Sequence, residues 1–178
     1  MLSNVEKELK NFAKYVVTKS RMNLRSSDKN SSGKLAKSLD SDVKVSKNSF
    51  QLEFVMEEYG IFQDKGVRGK SSSAKAPNSP FRFGTGTGKK GGLSKGINKW
   101  VKRKRFQFRD RKSGKFLSYD STAFLISRSI YHKGIAPSMF FTKPFEKAFK
   151  NLDKDIVKAF RLDVEALLET TVKDNLKK

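Results

Sequence analysis

Cysteine is absent from this 178-residue chain, and histidine occurs once. There is therefore no disulfide framework, no thiolate nucleophile and no zinc ribbon. A single imidazole also excludes the usual zinc-site and serine-triad arrangements. Long apolar runs are missing too: none approaches the roughly 18 to 20 residues needed to cross a bilayer. The opening MLSNVEKELK has acidic side chains by its sixth position and no apolar stretch, unlike a secretory signal. The expectation is a chain that is soluble and intracellular at synthesis. Apolar residues are scarce at 36%, so a single domain with a real core is expected to leave a sizeable part exposed or held by a partner.

Acidic residues are nearly missing from the middle of the chain. Lys and Arg number 20 against two Asp and Glu over 65–143, whereas 1–64 (11 against 9) and 144–178 (8 against 7) are almost balanced. Within 65–115 the ratio is 17 to one. Such a density repels itself unless solvent, salt or a polyanion neutralises it, so this stretch reads as a working surface and its flanks as the scaffold.

Taken in order, Val5, Leu9, Phe12, Val16 and Lys19, widened by Ala13 and Tyr15, predict an amphipathic helix from Ser3 to about Leu24, with Ser3 and Glu6 as a capping box. KLAKSL is a short helical candidate. VKV and FQLEFVM flank Ser46–Ser49, and Phe50, Leu52, Phe54 and Met56 alternate with Gln51, Glu53 and Val55, which predicts a β-hairpin with one buried face. EEYGIFQD is a helical turn leading out of the sheet. The segment 66–92 holds seven of the twelve Gly and two of the four Pro, and reads as a mobile loop without regular structure. Ser94 is placed to cap a helix with Ile97, Trp100 and Val101 on its apolar side and Lys102–Arg105 as its last turn. RFQFRDRKSGKFLS predicts a second hairpin turning at Lys112–Gly114. Asp120 is placed to cap a helix through Ala123, Phe124, Ile126, Ile130 and Tyr131 that stops at Gly134, and an extended APSMFFT follows. Pro144 opens the longest helix, with a stripe of Phe145, Ala148, Phe149, Leu152, Ile156, Ala159, Phe160, Leu167 and Leu168.

The predicted fold class is α+β: an antiparallel sheet built from hairpins, packed against N-terminal and long C-terminal helices, with a long basic Gly-rich loop. The whole of 1–178 reads as a single domain. Its parts are an N-terminal helix and hairpin (1–64), a mobile basic loop (65–95), a helix, hairpin and helix (96–143) and the long C-terminal helix (144–178).

Gly86, Gly88 and Gly91 satisfy G-x-G-x-x-G, but Pro77 and Pro80 stand where the preceding strand of a dinucleotide fold belongs. The segment is not a P-loop either, since Lys89 is followed by Lys90. His132 reads as a surface residue. The close acidic pairs, Asp40 with Asp42, Glu57 with Glu58 and Asp153 with Asp155, lack a spacing that marks a metal-dependent nuclease. No catalytic constellation, cofactor site or metal site is expected. The basic residues are interleaved with Phe81, Phe83, Trp100, Phe106 and Phe108, as on nucleic-acid surfaces, although those aromatics also step at core spacing. Lys89, Lys90, Lys102, Arg103, Lys104, Arg105, Arg109 and Arg111 are the candidate phosphate contacts, holding double-stranded DNA without sequence specificity.

Two separated pieces resemble a known family. SGKLAKSL, the hairpin and EEYGIFQDKG resemble the "tGkLrkSl … YA.yvE.GT" pattern of tail-completion or neck (head-tail connector) proteins of long-tailed double-stranded DNA bacteriophages. INKWVKRKR followed by STAFLISRSIYHKGIAPSMFFTKPFEKAF resembles their later part, "W…KG" and "A..IarsI...GI.P..Ff" with a final helix. Asp64-Lys65-Gly66 stands where Glu-x-Gly-Thr is usual, and 106–117 is an insertion. The resemblance implies a non-enzymatic virion protein at the head–tail junction, in the host cytoplasm during assembly. Its implied partners are itself in an oligomeric ring, neighbouring head-connector and tail-tube or tail-terminator proteins, and the DNA in the channel, with no membrane. A cellular nucleic-acid-binding protein of ribosomal or nucleoid type is the alternative reading of the charge.

Overall fold

The computed structural model describes residues 3–26, 32–46, 49–86 and 92–175, with side chains as far as Glu169. Helices α1 (Ser3–Ser26), α2 (Lys34–Ser38), α3 (Tyr59–Lys65), α4 (Gly92–Lys104), α5 (Tyr119–Lys133) and α6 (Thr142–Asn175) combine with four short strands. Strands β1 (Asp40–Val45) and β2 (Phe50–Val55) form one antiparallel pair, and β3 (Val67–Arg68) and β4 (Gly134–Ile135) form another. The fold class is α+β, as the periodicities predict. The span read as a single domain divides into two compact units, one made of 1–57 with 140–178 and the other of 58–139.

The first unit is built on α1. Val5, Leu9, Phe12, Ala13, Val16, Val17 and Leu24 are buried along it, with Ser20 completing the stripe in the place that spacing assigns to Lys19; Lys19 itself is exposed. The hairpin is in register with Ser41 opposite Phe54 and Val43 opposite Leu52, and the alternation turns Leu52 and Phe54 inward and Gln51 and Glu53 out, but Phe50, expected on the same buried face, is exposed. Val17, Leu24, Leu35, Ala36, Leu39 and Phe140 form one core cluster with Phe54 and Phe141 against it. Phe12 meets Phe54 and Phe145 edge-on, and Phe54 meets Phe141 and Phe145 likewise, at 5.2 to 6.3 Å, while Phe141 and Phe145 stack at 5.8 Å, both geometries that ring quadrupoles favour. Arg21 donates to the Leu39 carbonyl at 2.6 Å and Asn23 to that of Phe140 at 3.1 Å, which ties α1 to the chain at both edges of this cluster.

Helix α6 lies antiparallel to α1, since Ala159 packs beside Val5 and Leu9, and Phe145 beside Phe12. The α1 N-terminus is satisfied differently from the expected capping box. The Asp163 carboxylate on α6 accepts from the backbone N–H of Asn4 (3.0 Å) and of Val5 (3.1 Å), from the Asn4 amide (2.9 Å) and from the Ser3 hydroxyl (3.4 Å). Glu6 instead pairs with Lys10 one turn on. An acceptor at a helix start does the same work whether it is local or comes from 160 residues away, and only the local one leaves a mark in sequence spacing.

The single stripe expected on α6 needs correction. Ala159 is buried and Phe145, Ala148, Leu152 and Ile156 are half-buried, but Phe149 and Phe160 are 57% and 49% exposed, and Leu167 and Leu168 are exposed too. Apolar residues cover more of this helix than α1 faces, so part of the set points to solvent.

In the second unit, the segment read as a loop without regular structure supplies β3, and its chain is held by hydrogen bonds as far as Phe83. Arg68 N–H donates to the Phe81 carbonyl (2.8 Å) and Phe83 N–H to that of Arg68 (2.9 Å). Ser79 hydroxyl reaches the Gly66 carbonyl at 2.7 Å, and Lys70 N–H reaches that of Tyr131 at 2.8 Å. Strand β4 crosses β3 so closely that a side chain at Gly69 would strike the His132 carbonyl, and one at Gly134 (φ +84°) the Val67 carbonyl. Helices α4 and α5 pack around buried Val101, Thr122 and Ala123. The α5 cap is Ser118, whose hydroxyl accepts from Ser121 N–H at 3.1 Å, rather than Asp120. Likewise α4 begins at Gly92, so Ser94 lies inside it.

Burial pushes the Asp163 carboxyl up, and the hydrogen bonds from Asn4, Val5 and Ser3 more than offset that, leaving it below the ordinary carboxylate value. A carboxyl with a depressed folded-state pKa contributes stability above its unfolded pKa of about 3.9, and that stability is lost as pH falls through the folded value. Asp163→Asn should cost about 1 to 2 kcal/mol at neutral pH and flatten the acid limb of the stability curve below about pH 4, measured by urea denaturation. Gly69→Ala should cost at least about 2 kcal/mol, because only backbone atoms stand in the way, whereas Gly96→Ala, with open space around it on α4, should stabilise by about 0.5 to 1 kcal/mol.

Candidate nucleic-acid interface

The cations singled out in the sequence fall on two adjoining pieces. Lys102, Arg103 and Lys104 form the exposed last turn of α4, and Arg109 and Arg111 stand on the arm that follows; Lys89 and Lys90 lie outside the described residues, as do Gly88 and Gly91. Cations at a helix C-terminus face the negative end of its dipole, so their mutual repulsion is partly offset at no structural cost. Lys102, Arg103 and Lys104 are set about 100° apart and point in different directions around the axis, and Arg105, expected in the same turn, lies beyond the helix end.

Helix α4 ends in a paired-bond termination. Phe106 N–H donates to the Val101 carbonyl at 3.0 Å and Arg105 N–H to that of Lys102 at 3.3 Å, with Arg105 in the left-handed region at φ +51°. This is the Schellman arrangement with arginine at the position glycine usually takes. Its accompanying apolar contact is between Trp100 and Phe106, whose rings are 6.1 Å apart. Phe106 in turn meets Phe108 at 5.2 Å, so a chain of three rings lays the arm against the end of α4.

The arm is the expected hairpin in reduced form. A single bridge joins Arg109 to Phe116, Leu117 N–H donates to Phe108 at 2.8 Å, and the turn closes where predicted, with Gly114 at φ +67°. The Asp110 carboxylate accepts from Ser113 N–H (2.7 Å), the Ser113 hydroxyl (2.9 Å) and Lys112 N–H (3.0 Å). These bonds, Ser113's first, hold its carboxyl below the ordinary range. Asp120 takes a short bond from the Asn98 amide and lies 3.8 Å from Lys102. Both acidic residues of 65–143 are therefore committed to local contacts, one to its own turn and one to the α4–α5 junction.

The arm's apolar side is not core. Phe106 and Phe108 are exposed, and Phe116 is 61% exposed with the Arg109 guanidinium 4.6 Å from its ring centre. Phe81 and Phe83, by contrast, pack on Phe62 (4.7 Å) and Tyr131 (5.8 Å). The aromatics interleaved with the cations thus divide: the earlier pair is structural, and the later set lines a basic surface. Lys70 and Arg82 contribute to the charge of the segment without any spacing that marks them. Lys70 lies 5.9 Å from the Tyr131 ring, and Arg82 donates to the Lys70 carbonyl at 3.0 Å, a pairing that only the β3 crossing produces.

His132 is engaged, its Nδ1 2.8 Å from the Ser71 hydroxyl and its carbonyl accepting from Ser71 and Ser72. Among the described residues no three His, Asp or Glu side chains gather as metal ligands, and no helix is long and apolar enough to cross a membrane. The close acidic pairs stand apart from one another in their contacts, Asp42 with Lys44 (3.3 Å) and Glu57 with Lys34 (2.9 Å).

Arginine at a left-handed position strains the α4 terminus by roughly 1 kcal/mol relative to glycine. Arg105→Gly should therefore raise stability by about 0.5 to 1 kcal/mol in thermal or chemical unfolding while removing one surface cation.

No protein-family model, no curated protein and no solved structure matches this chain.

Proposed function

We propose that this chain is a structural, non-enzymatic virion protein of the phage neck or tail-completion type. In this reading it forms an oligomeric ring at the head–tail junction, between head-connector and tail-tube or tail-terminator proteins, and its α4–arm surface holds phosphates of double-stranded DNA without reading bases. The observation that carries the DNA contact is the run of exposed cations from Lys102 to Arg111 with both nearby carboxylates already committed. Fixed positive charge in such excess over carboxylates favours a polyanion, and the gain comes largely from counterions released from the nucleic acid.

The head–tail placement rests on the resemblance. What supports it is the way its two separated pieces meet. QDKG ends at Gly66, directly before β3, and YHKGI runs through β4, so the motifs that resemble the family sit side by side in one antiparallel pair. A side chain at Gly66 would lie 2.6 Å from the Ile135 carbonyl, so that glycine belongs to the same crossing. A cellular protein of ribosomal or nucleoid type would share the charge without a reason for these pieces in this order.

In a duplex-binding assay, affinity should be weak, indifferent to sequence and steeply reduced by salt. Arg103→Ser with Arg111→Ser should lower the magnitude of the log–log salt slope by roughly 0.9 for each phosphate no longer held, with little change in melting temperature. Sequence-selective binding, or an unchanged slope in the double variant, overturns the DNA contact. Class averages of the purified protein and of virions should show rings at the neck, and their absence from both overturns the placement.

A further inference from the structure

We propose that the arm presents a stacking platform for unpaired nucleic-acid bases, with the Phe116 ring as the surface on which a base lies and the Arg109 guanidinium beside it as the partner of that nucleotide's phosphate. The proposal rests on the reading of the α4–arm surface as a phosphate contact and adds the kind of strand it prefers, a single strand. Stacking accepts any base, so the contact stays indifferent to sequence.

Backbone pairing sets the geometry. Asp110 N–H donates to the Lys115 carbonyl (2.9 Å) and Leu117 N–H to that of Phe108 (2.8 Å), so Arg109 and Phe116 stand opposite each other between these bonds, at a position without a hydrogen bond of its own. Cross-strand side chains come closest at such positions and share one side of the ribbon. The guanidinium accordingly lies 4.6 Å from the ring centre. With that cation against it, Phe116 is still 61% exposed, so the rest of its ring is open to solvent. The arm itself is held firmly. Asp110 closes its tip, the Gln107 amide donates across it to the Leu117 carbonyl at 2.7 Å, and Phe108 N–H donates to the Thr122 hydroxyl on α5 at 3.3 Å. A ring already fixed in place needs little further ordering when a ligand binds.

Charge and shape together select the occupant. Arg111, Lys112 and Lys115 are exposed around the same turn, and the one carboxylate of the arm, Asp110, already accepts three bonds from that turn. The charge therefore requires an anion, and the open ring favours a flat π face beside it. Duplex DNA brings phosphates but keeps its base faces inside its own stack. An acidic polypeptide brings carboxylates without a flat face at every residue. A single strand brings a phosphate and an unstacked base with each nucleotide. Phe106 and Phe108 are engaged with each other at 5.2 Å, and Phe106 with Trp100 at 6.1 Å, whereas Phe116 meets no other aromatic ring among the described residues.

Fluorescence anisotropy of the full chain with labelled oligo-dT, with an abasic strand of equal length and with a duplex separates the two contributions. Oligo-dT and the abasic strand carry the same phosphates, so oligo-dT should bind roughly five-fold tighter or more, the effect of one stacked base. Phe116→Leu keeps an apolar side chain and removes the π face. It should abolish that difference while leaving abasic-strand affinity, the salt slope and the melting temperature unchanged, because the ring is exposed. Phe116→Tyr should retain the difference. Equal binding of oligo-dT and the abasic strand, or a difference that survives Phe116→Leu, overturns the platform and leaves the phosphate contact standing on its duplex salt slope. Absence of salt-dependent binding to all three probes overturns both. Polyglutamate should bind more weakly than oligo-dT; if it binds as tightly and loses as much with Phe116→Leu, the surface fits an acidic polypeptide and the platform is overturned.

Discussion

Two carboxylates cannot neutralise twenty cations, and much of this molecule's organisation follows from that imbalance over 65–143. Taking an ammonium or guanidinium out of water has a large cost, so most of these side chains stay at the surface, where solvent, salt or an outside anion meets the excess charge. The unit that carries all of them but Lys143 has few large buried side chains among its described residues. Among its described residues, Val67, Ala76 and Val101 are the buried hydrophobics away from α5, and much of its cohesion is backbone hydrogen bonding across the β3–β4 crossing. Close backbone approach needs residues without side chains. Glycine at 66, 69 and 134 therefore answers, at one remove, the same scarcity of apolar residues that the composition records.

The other unit shows what balanced charge permits. With cations and carboxylates in near-equal number on α6, the hairpin and α1 can bury a contiguous set of aromatic rings and leave charged groups to pair at the surface.

Legibility in the sequence followed the range of the cause. Helices α1, α5 and α6 and the β1–β2 hairpin each repeat a period over many residues, so a window of sequence contains the signal. The Lys112–Gly114 turn was equally readable, because Asp110 and Gly114 act within five residues of each other. Strands β3 and β4 are two residues each and are brought together across more than sixty positions, which no local window reports. The caps were misplaced for a related reason. Ser118 and Asp120 are both acceptable acceptors two residues apart, and the choice falls to the backbone conformation entering α5; Asp163 serves α1 from another helix altogether. At the candidate interface, composition alone was enough to find the cations. What composition could not supply is which aromatics beside them are core, since Phe81 and Phe116 differ in their neighbours and not in their spacing.

Asp163 also fixes something beyond the end of α1. A helix with apolar residues on two sides has two faces that could serve as its core contact, and burial alone would rank them nearly alike. A carboxylate that accepts two backbone N–H groups, an amide and a hydroxyl at 2.9 to 3.4 Å binds at one rotation and one axial register. With Asp163 set against Asn4 and Val5, Ile156 and Ala159 must face α1, and Val157, Phe160 and Val164 must face away. One buried polar contact thereby decides which apolar stripe becomes core and which is left outside, a choice that hydrophobicity along the helix does not make.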